Sequence, residues 1–248
     1  KVKIVAFAHV SNVIGYEIDI KTLTKVAHKY GAVMVVDGAQ SVPHIKTDFK
    51  DWDIDFLTFS AHKMCGPTGM GALVAKKELL EFMDPFIVGG GMNVSFDKEM
   101  NMIPLPAPTK FEAGTLNLAG IMGFKAAVEF IESIGLDNIH SHDVELTEYA
   151  KSKLANDPKI IIYNKNSKGG IITFNVKDTF AQDEATLLNS KGIAVRSGQH
   201  CDKIIDDFVG TKATCRMSTY LYTTKEEVDA FIEALLNGGD ILDAYFSN

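Results

Sequence analysis

Two short apolar runs, each ending abruptly in polar and glycine residues, constrain the fold of this chain more than any other feature. Residues 32–36 (AVMVV) run into Asp37 and Gly38, and residues 55–59 run into Ser60, His62 and Lys63. After Lys63 comes a loop holding three glycines and Pro67. Apolar runs of this length, bounded by turn residues, read as buried strands. Residues 1–8 (KVKIVAFA) read as another buried strand and residues 71–75 as a fourth. Between the first two strands, Asp19 precedes a helical pattern with Ile20, Leu23, Ala27 and Tyr30 on one face, and Gly31 follows as its stop. Strand, helix, strand with short links is the signature of an α/β sheet.

The rest of the chain changes character. Residues 86–108 hold a GGG run and three prolines without a sustained period, and read as an irregular excursion. A helix is expected over 118–133, with Ile121, Phe124, Val128 and Ile131 aligned and Gly135 as its stop. A polar helix follows from about 138 into the 150s. Strand-like runs at 159–163, 170–176 and 193–196 then alternate with a helix near 183–190. Thr224 and Glu227 form a capping-box pair ahead of Val228, Phe231, Ile232 and Leu235. Short strands mixed with helices suggest a smaller second domain, and we place the join so that residues 1–117 and 118–248 form the two parts.

Composition narrows the partners. The chain has 248 residues, 46% of them hydrophobic, enough for a sizeable core. Its formal charge of 25 − 32 = −7, with no basic run, argues against nucleic acid. No apolar stretch is long enough to span a bilayer, so no membrane is expected. Three cysteines, an odd and sparse set, argue against a disulfide framework and for a reducing compartment such as the cytoplasm.

Four segments carry chemistry. Asp37 ends an apolar strand, the position where open α/β sheets bind ligands; it faces a ligand or caps the next turn. Lys63 directly follows a buried strand, where partial burial favours the free amine and so a Schiff base; Ser60 and His62 can donate to a phosphate. Together these segments suit pyridoxal phosphate, with Asp37 against the pyridine nitrogen and Lys63 on the aldehyde. In AVRSGQHCDK (194–203), Cys201 sits among Arg196 and His200, a setting that favours a thiolate. Zinc binding is disfavoured there because no paired CxxC accompanies the cysteine. Arg216, in CRMS, either forks onto a carboxylate or makes a structural ion pair. His140 and His142, in HSHDVE, are assigned to helix capping and solvation rather than to a metal.

These segments, in this order, resemble the class V aminotransferase superfamily of fold-type I pyridoxal phosphate (PLP) enzymes, most nearly the SufS-type (group II) cysteine desulfurases and selenocysteine lyases. The matching pieces are HVSNVIG (9–15), VVDGAQS (35–41), DFLTFSAHKMCGPTGMG (55–71), GGGM (89–92), FEAGTLN (111–117), VRSGQHC (195–201) and CRMSTYLYTT (215–224). The resemblance implies an incomplete, mostly parallel sheet of the large domain followed by a small α+β C-terminal domain. It implies that Asn12 and Arg216 hold the substrate carboxylate, Asn12 also lying at the cofactor. Asp37 pairs with the pyridine nitrogen, Gln40 with the ring's phenolic oxygen, and Ser60 and His62 with the phosphate. Lys63 is the Schiff-base lysine, and Thr115 reaches the phosphate of a neighbouring subunit, which implies a homodimer. Cys201 takes sulfur from L-cysteine as a persulfide, with Arg196 and His200 nearby, and passes it to an acceptor or scaffold protein of iron–sulfur cluster assembly; L-alanine leaves.

Gln199 stands where the family usually has a second histidine, and Cys65 where tyrosine is common. The family's N-terminal part has no counterpart here, so a truncated chain is expected. The alternatives are selenocysteine lyase, another class V enzyme, or an inactive fragment serving only as an interaction module.

Overall fold

The computed structural model describes residues 1–237 and Gly239; the end of the expected 118–248 domain lies outside the described residues. Backbone contacts divide the chain into two compact units. One comprises Lys1–His9, Asp19–Pro43 and Thr47–Ser133; the other comprises Val10–Ile18, His44–Lys46 and Ile134–Asn248.

The first unit is built on a four-stranded sheet. β1 (Ile4–Ala8) leads to α1 (Ile20–Lys29), then β2 (Val33–Asp37), β3 (Phe56–Ser60) and β4 (Gly71–Ala75), in the spatial order β1-β2-β3-β4. β1, β2 and β3 run parallel and β4 antiparallel, which is the mostly parallel sheet expected. Asp19 caps α1 by accepting the Thr22 N–H at 3.0 Å, and Ile20, Thr24 and Ala27 form the helix's buried face. Met34 and Val36 of β2 are fully buried. β1 departs from the expected buried strand: four of its five residues are exposed, because it is the sheet's edge and pairs with β2 alone.

A buried carboxylate ties these elements together. Asp55, just before β3, accepts the Met34 N–H at 2.7 Å, meets His28 Nε2 at 2.7 Å and pairs with Lys76 Nζ at 2.7 Å. Burial alone would raise the Asp55 carboxyl; the bonds from Lys76, Met34 and His28 outweigh it and hold the group below the ordinary carboxylate range.

Beyond the sheet come α2 (Lys77–Phe82), β5 (Asn93–Phe96), β6 (Met102–Pro104) and α3 (Leu118–Ile134). β5 and β6 form a hairpin inside the stretch expected to be irregular. Its register shifts between Asn93 and Ser95, which breaks the two-residue alternation a sequence reading looks for. Asp97 closes the hairpin loop by accepting the backbone N–H groups of Glu99 and Asn101, each at 2.8 Å.

The second unit runs α4 (Leu136–Leu154), β7 (Ile160–Ile162), β8 (Ile171–Val176), α5 (Ala181–Ser190), β9 (Arg196–Gly198), α6 (Ile205–Val209), β10 (Thr214–Ser218) and α7 (Lys225–Leu236). Its sheet has the order β7-β8-β10-β9 and is antiparallel throughout. Leu146, Leu154, Ile172, Phe174, Leu188, Val228 and Phe231 belong to one core, with the Phe174 and Phe231 rings edge to face at 5.6 Å. The Thr224–Glu227 capping box is formed. The strand expected at 193–196 begins only at Arg196, because Ile193 N–H still closes the end of α5 by donating to Leu188 O at 3.0 Å. His142 lies within α4 rather than at its cap, with Nε2 2.8 Å from Thr223 O.

Two early segments fold with this unit. Thr173 Oγ1 donates to Val13 O, and Asn164 Nδ2 donates to Ile14 O at 3.1 Å. His44 Nδ1 lies 2.7 Å from Oδ2 of the fully buried Asp143, whose Oδ1 accepts Thr219 Oγ1 at 2.8 Å.

Candidate active site

In the first unit, chemistry-bearing residues gather where two neighbouring parallel strands end. Asp37 closes β2 and lies in register with Thr58, two residues before Ser60 closes β3. Its Oδ1 accepts the Ala39 N–H at 2.8 Å, an Asx turn that fixes the carboxylate and leaves Oδ2 available. Gly38 is forced by close packing: a Cβ there would stand 2.8 Å from Val42 Cγ2 and 2.9 Å from Leu57 Cδ1. Gln40, in the same turn, is half-buried.

β3 passes from Ser60 into a 3-10 turn, Ala61–Lys63. Ala61 is fully buried; its N–H donates to Met70 O at 3.0 Å and its O accepts from Met64 and Gly66. A Cβ on Gly66 would lie 2.9 Å from that same oxygen, so the glycine-rich loop folds back tightly under the turn. The turn presents an exposed His62 and a half-buried Lys63 beside a half-buried Ser60. Lys63 Nζ has no hydrogen bond or ion pair among the described residues. Thr115 lies in an exposed loop ahead of α3. A free amine, a fixed carboxylate one strand away and hydroxyl and imidazole donors at the strand end are the donor set that PLP needs.

In the second unit, Arg196 of β9 and Arg216 of β10 are directly opposed across the antiparallel pair. Like charges opposite one another cost stability unless an anion lies with them. Arg216 is half-buried; Nη1 donates to Asn12 O at 2.6 Å, and Nε is buried without a hydrogen-bond partner among the described residues. Burial, and then the Arg196 charge, lower its pKa. An under-satisfied guanidinium facing a second one is suited to a carboxylate. Asn12 also donates through Nδ2 to His200 O at 2.7 Å.

That carbonyl belongs to the turn bearing Cys201. Asp202 N–H closes onto Gln199 O at 2.9 Å, and both intervening residues have positive φ, 53° at His200 and 67° at Cys201. Cys201 is exposed at the tip. The His200 ring, by contrast, is only 4% exposed, with Nε2 2.9 Å from Thr214 Oγ1. Burial, followed by the charge of Arg216, lowers its pKa, so the ring is neutral near pH 7. Cys215 is no rival nucleophile: burial pushes its thiol up to about 12. Thr214 escaped the sequence reading. Its signal was strand alternation, which puts Thr214 and Arg216 on one face and Cys215 on the other.

Residues 1–231 match the family "Aminotransferase class-V", and the chain belongs to that family. It is 45% identical over 235 residues to a "Probable cysteine desulfurase" of Halalkalibacterium halodurans, covering 95% of this chain and 58% of the relative. It is 46% identical over 237 residues to a protein of the same name from Staphylococcus epidermidis, covering 95% and 57%. The chain therefore spans a little under three-fifths of the length of these curated relatives. Among solved structures, the cysteine desulfurase CsdA (S-sulfonic acid) from Escherichia coli superposes with a TM-score of 0.91 at 36% identity, covering 95% of this chain and 59% of that one. The cysteine desulfurase from Thermococcus onnurineus NA1 gives 0.90 at 34% identity, with the same coverage.

Proposed function

We propose that the protein carrying this chain is a PLP-dependent cysteine desulfurase. It takes sulfur from L-cysteine onto Cys201, releases L-alanine and hands the sulfur to an acceptor or scaffold protein of iron–sulfur cluster assembly. The observation that carries the reading is the unpaired Lys63 amine at the end of β3, one strand over from Asp37. The opposed arginines, the exposed Cys201 and the names of the relatives support it.

Lys63 Nζ would hold the cofactor's aldehyde carbon and, once displaced by the amino group of cysteine, move the α-proton. Asp37 would keep a proton on the pyridine nitrogen, Gln40 would bond the phenolic oxygen, and Ser60 and His62 the phosphate. Bound PLP supplies an electron-withdrawing ring that holds the charge left by that proton. Arg216 and Asn12 would hold the substrate carboxylate, with Arg196 and His200 beside Cys201. The Cys201 thiolate would attack the substrate sulfur: an S–S bond forms as the Cβ–S bond breaks, the electron pair left on the substrate carbon takes up a proton there, and return of the α-proton from Lys63 gives alanine. Thr115 would serve a neighbouring subunit of a homodimer in the cytoplasm.

The test is alanine release from L-cysteine by the protein carrying this chain, beside its Cys201→Ala variant. The expected loss is about a hundredfold or more, as for removal of an attacking nucleophile. Full alanine release by the variant would remove Cys201 from the reading.

A further inference from the structure

We propose that Thr214 is a positioning residue for Cys201: its hydroxyl holds the His200 ring inside the protein, and that grip fixes the turn from which the thiol is presented. The role of Cys201 as sulfur acceptor rests on the reading above; the turn and its grip do not.

The turn has an unfavourable composition. A two-residue turn with positive φ at both central positions suits Asn and Gly. Here the two positions are His200 at 53° and Cys201 at 67°, and side chains of L-residues disfavour that region. Such a conformation persists only when its surroundings over-determine it. The Asp202 N–H to Gln199 O bond closes the turn, and Asn12 Nδ2 holds the His200 carbonyl. The third grip is made by the His200 side chain. The His200 ring is buried, its Nε2 meets Thr214 Oγ1 at 2.9 Å, and its Nδ1 has no hydrogen-bond partner among the described residues. Thr214 stands on β10 in register with Gly198, which ends β9 just before the turn. The hydroxyl therefore pins the ring to the strand beside the turn's own root. Without it, the buried ring keeps its contact with the Thr214 backbone but loses the hydroxyl, which weakens the anchor that offsets the strain of the turn.

The test is amide hydrogen exchange at Asp202 in the purified chain, for the parent, Thr214→Val and Thr214→Ser. Thr214→Val is expected to speed exchange at Asp202 about tenfold or more, while Thr214→Ser returns it to the parent rate and amides in α4 and β8 stay unchanged. A second comparison uses His200→Gly, which removes the ring together with the strain at that position. Adding Thr214→Val to that background is expected to change Asp202 exchange less than twofold, since the residues couple only through the ring. The proposal is overturned if Thr214→Val exchanges at the parent rate, if Thr214→Ser is as fast as Thr214→Val, or if the valine acts equally in the His200→Gly background. None of these readouts uses turnover. A failed Cys201→Ala assay leaves the positioning claim standing, and a failed exchange test leaves the desulfurase reading standing.

Discussion

Glu184, on α5, carries a carboxyl into an apolar interior. It is 4% exposed, its Oε1 has no hydrogen-bond partner among the described residues, and it acts electrostatically on the buried Cys215. Burial raises its pKa, and the charge of Lys191 only partly opposes the rise. The folded chain thus binds this proton more tightly than the unfolded chain. The stability linked to it is complete below the unfolded carboxyl's pKa of about 4.3 and is lost as pH rises through the folded value. Glu184→Leu should remove that dependence and stabilise the chain at neutral pH by about 1–3 kcal/mol, the cost of an unsatisfied buried polar group. Urea titrations at pH 5 and pH 8 check both points; equal stability of the two proteins at pH 8 would contradict them. The cysteines offer a second test at this scale. Iodoacetamide should label Cys65 and Cys201, both exposed, in the folded chain, and Cys215 only after denaturation. Peptide mass mapping reads the order directly.

At the scale of elements, the Thr224–Glu227 capping box should be worth about 1 kcal/mol, so Thr224→Ala is expected to lower the denaturant midpoint accordingly without changing the slope. Asp55→Asn should cost more, because it removes the buried negative charge shared by Lys76 and His28 and leaves them only the exposed Asp53 carboxylate. These caps and the strands ending in Asp37 and Ser60 were legible in the sequence, because each depends on residues within one turn or one alternating run. The β5–β6 hairpin was not, since its bulge destroys the alternation and its closure rests on the Asp97 side chain. Nor was the exposure of β1, which is set by how many neighbours a strand has rather than by its own residues. Of the site, Asp37, Lys63, Arg216 and Cys201 stood out by residue type and position. The interior placement of the His200 ring was hidden, because Asn12 and Thr214 meet His200 across 188 and 14 residues of chain.

At the scale of the whole molecule, parallel strands are normally covered on both faces. Ile4 of β1 is 63% exposed, and Phe82 and Phe86 lie 90% and 100% exposed in the same unit. A sheet edge and aromatic side chains left uncovered in this way favour association. The isolated chain should therefore bind a hydrophobic dye and self-associate as its concentration rises, which light scattering would show; a monodisperse, dye-silent monomer would contradict this. A free lysine amine follows β3, one strand over from the fixed carboxylate that ends β2, and serves as a cofactor anchor. The most direct test is to add PLP to the purified chain, reduce with borohydride and map the modified peptide. The expected result is a visible absorbance band before reduction and a pyridoxyl adduct on Lys63, absent in Lys63→Ala. A chain that stays colourless, or that is labelled equally on its surface lysines, would contradict it.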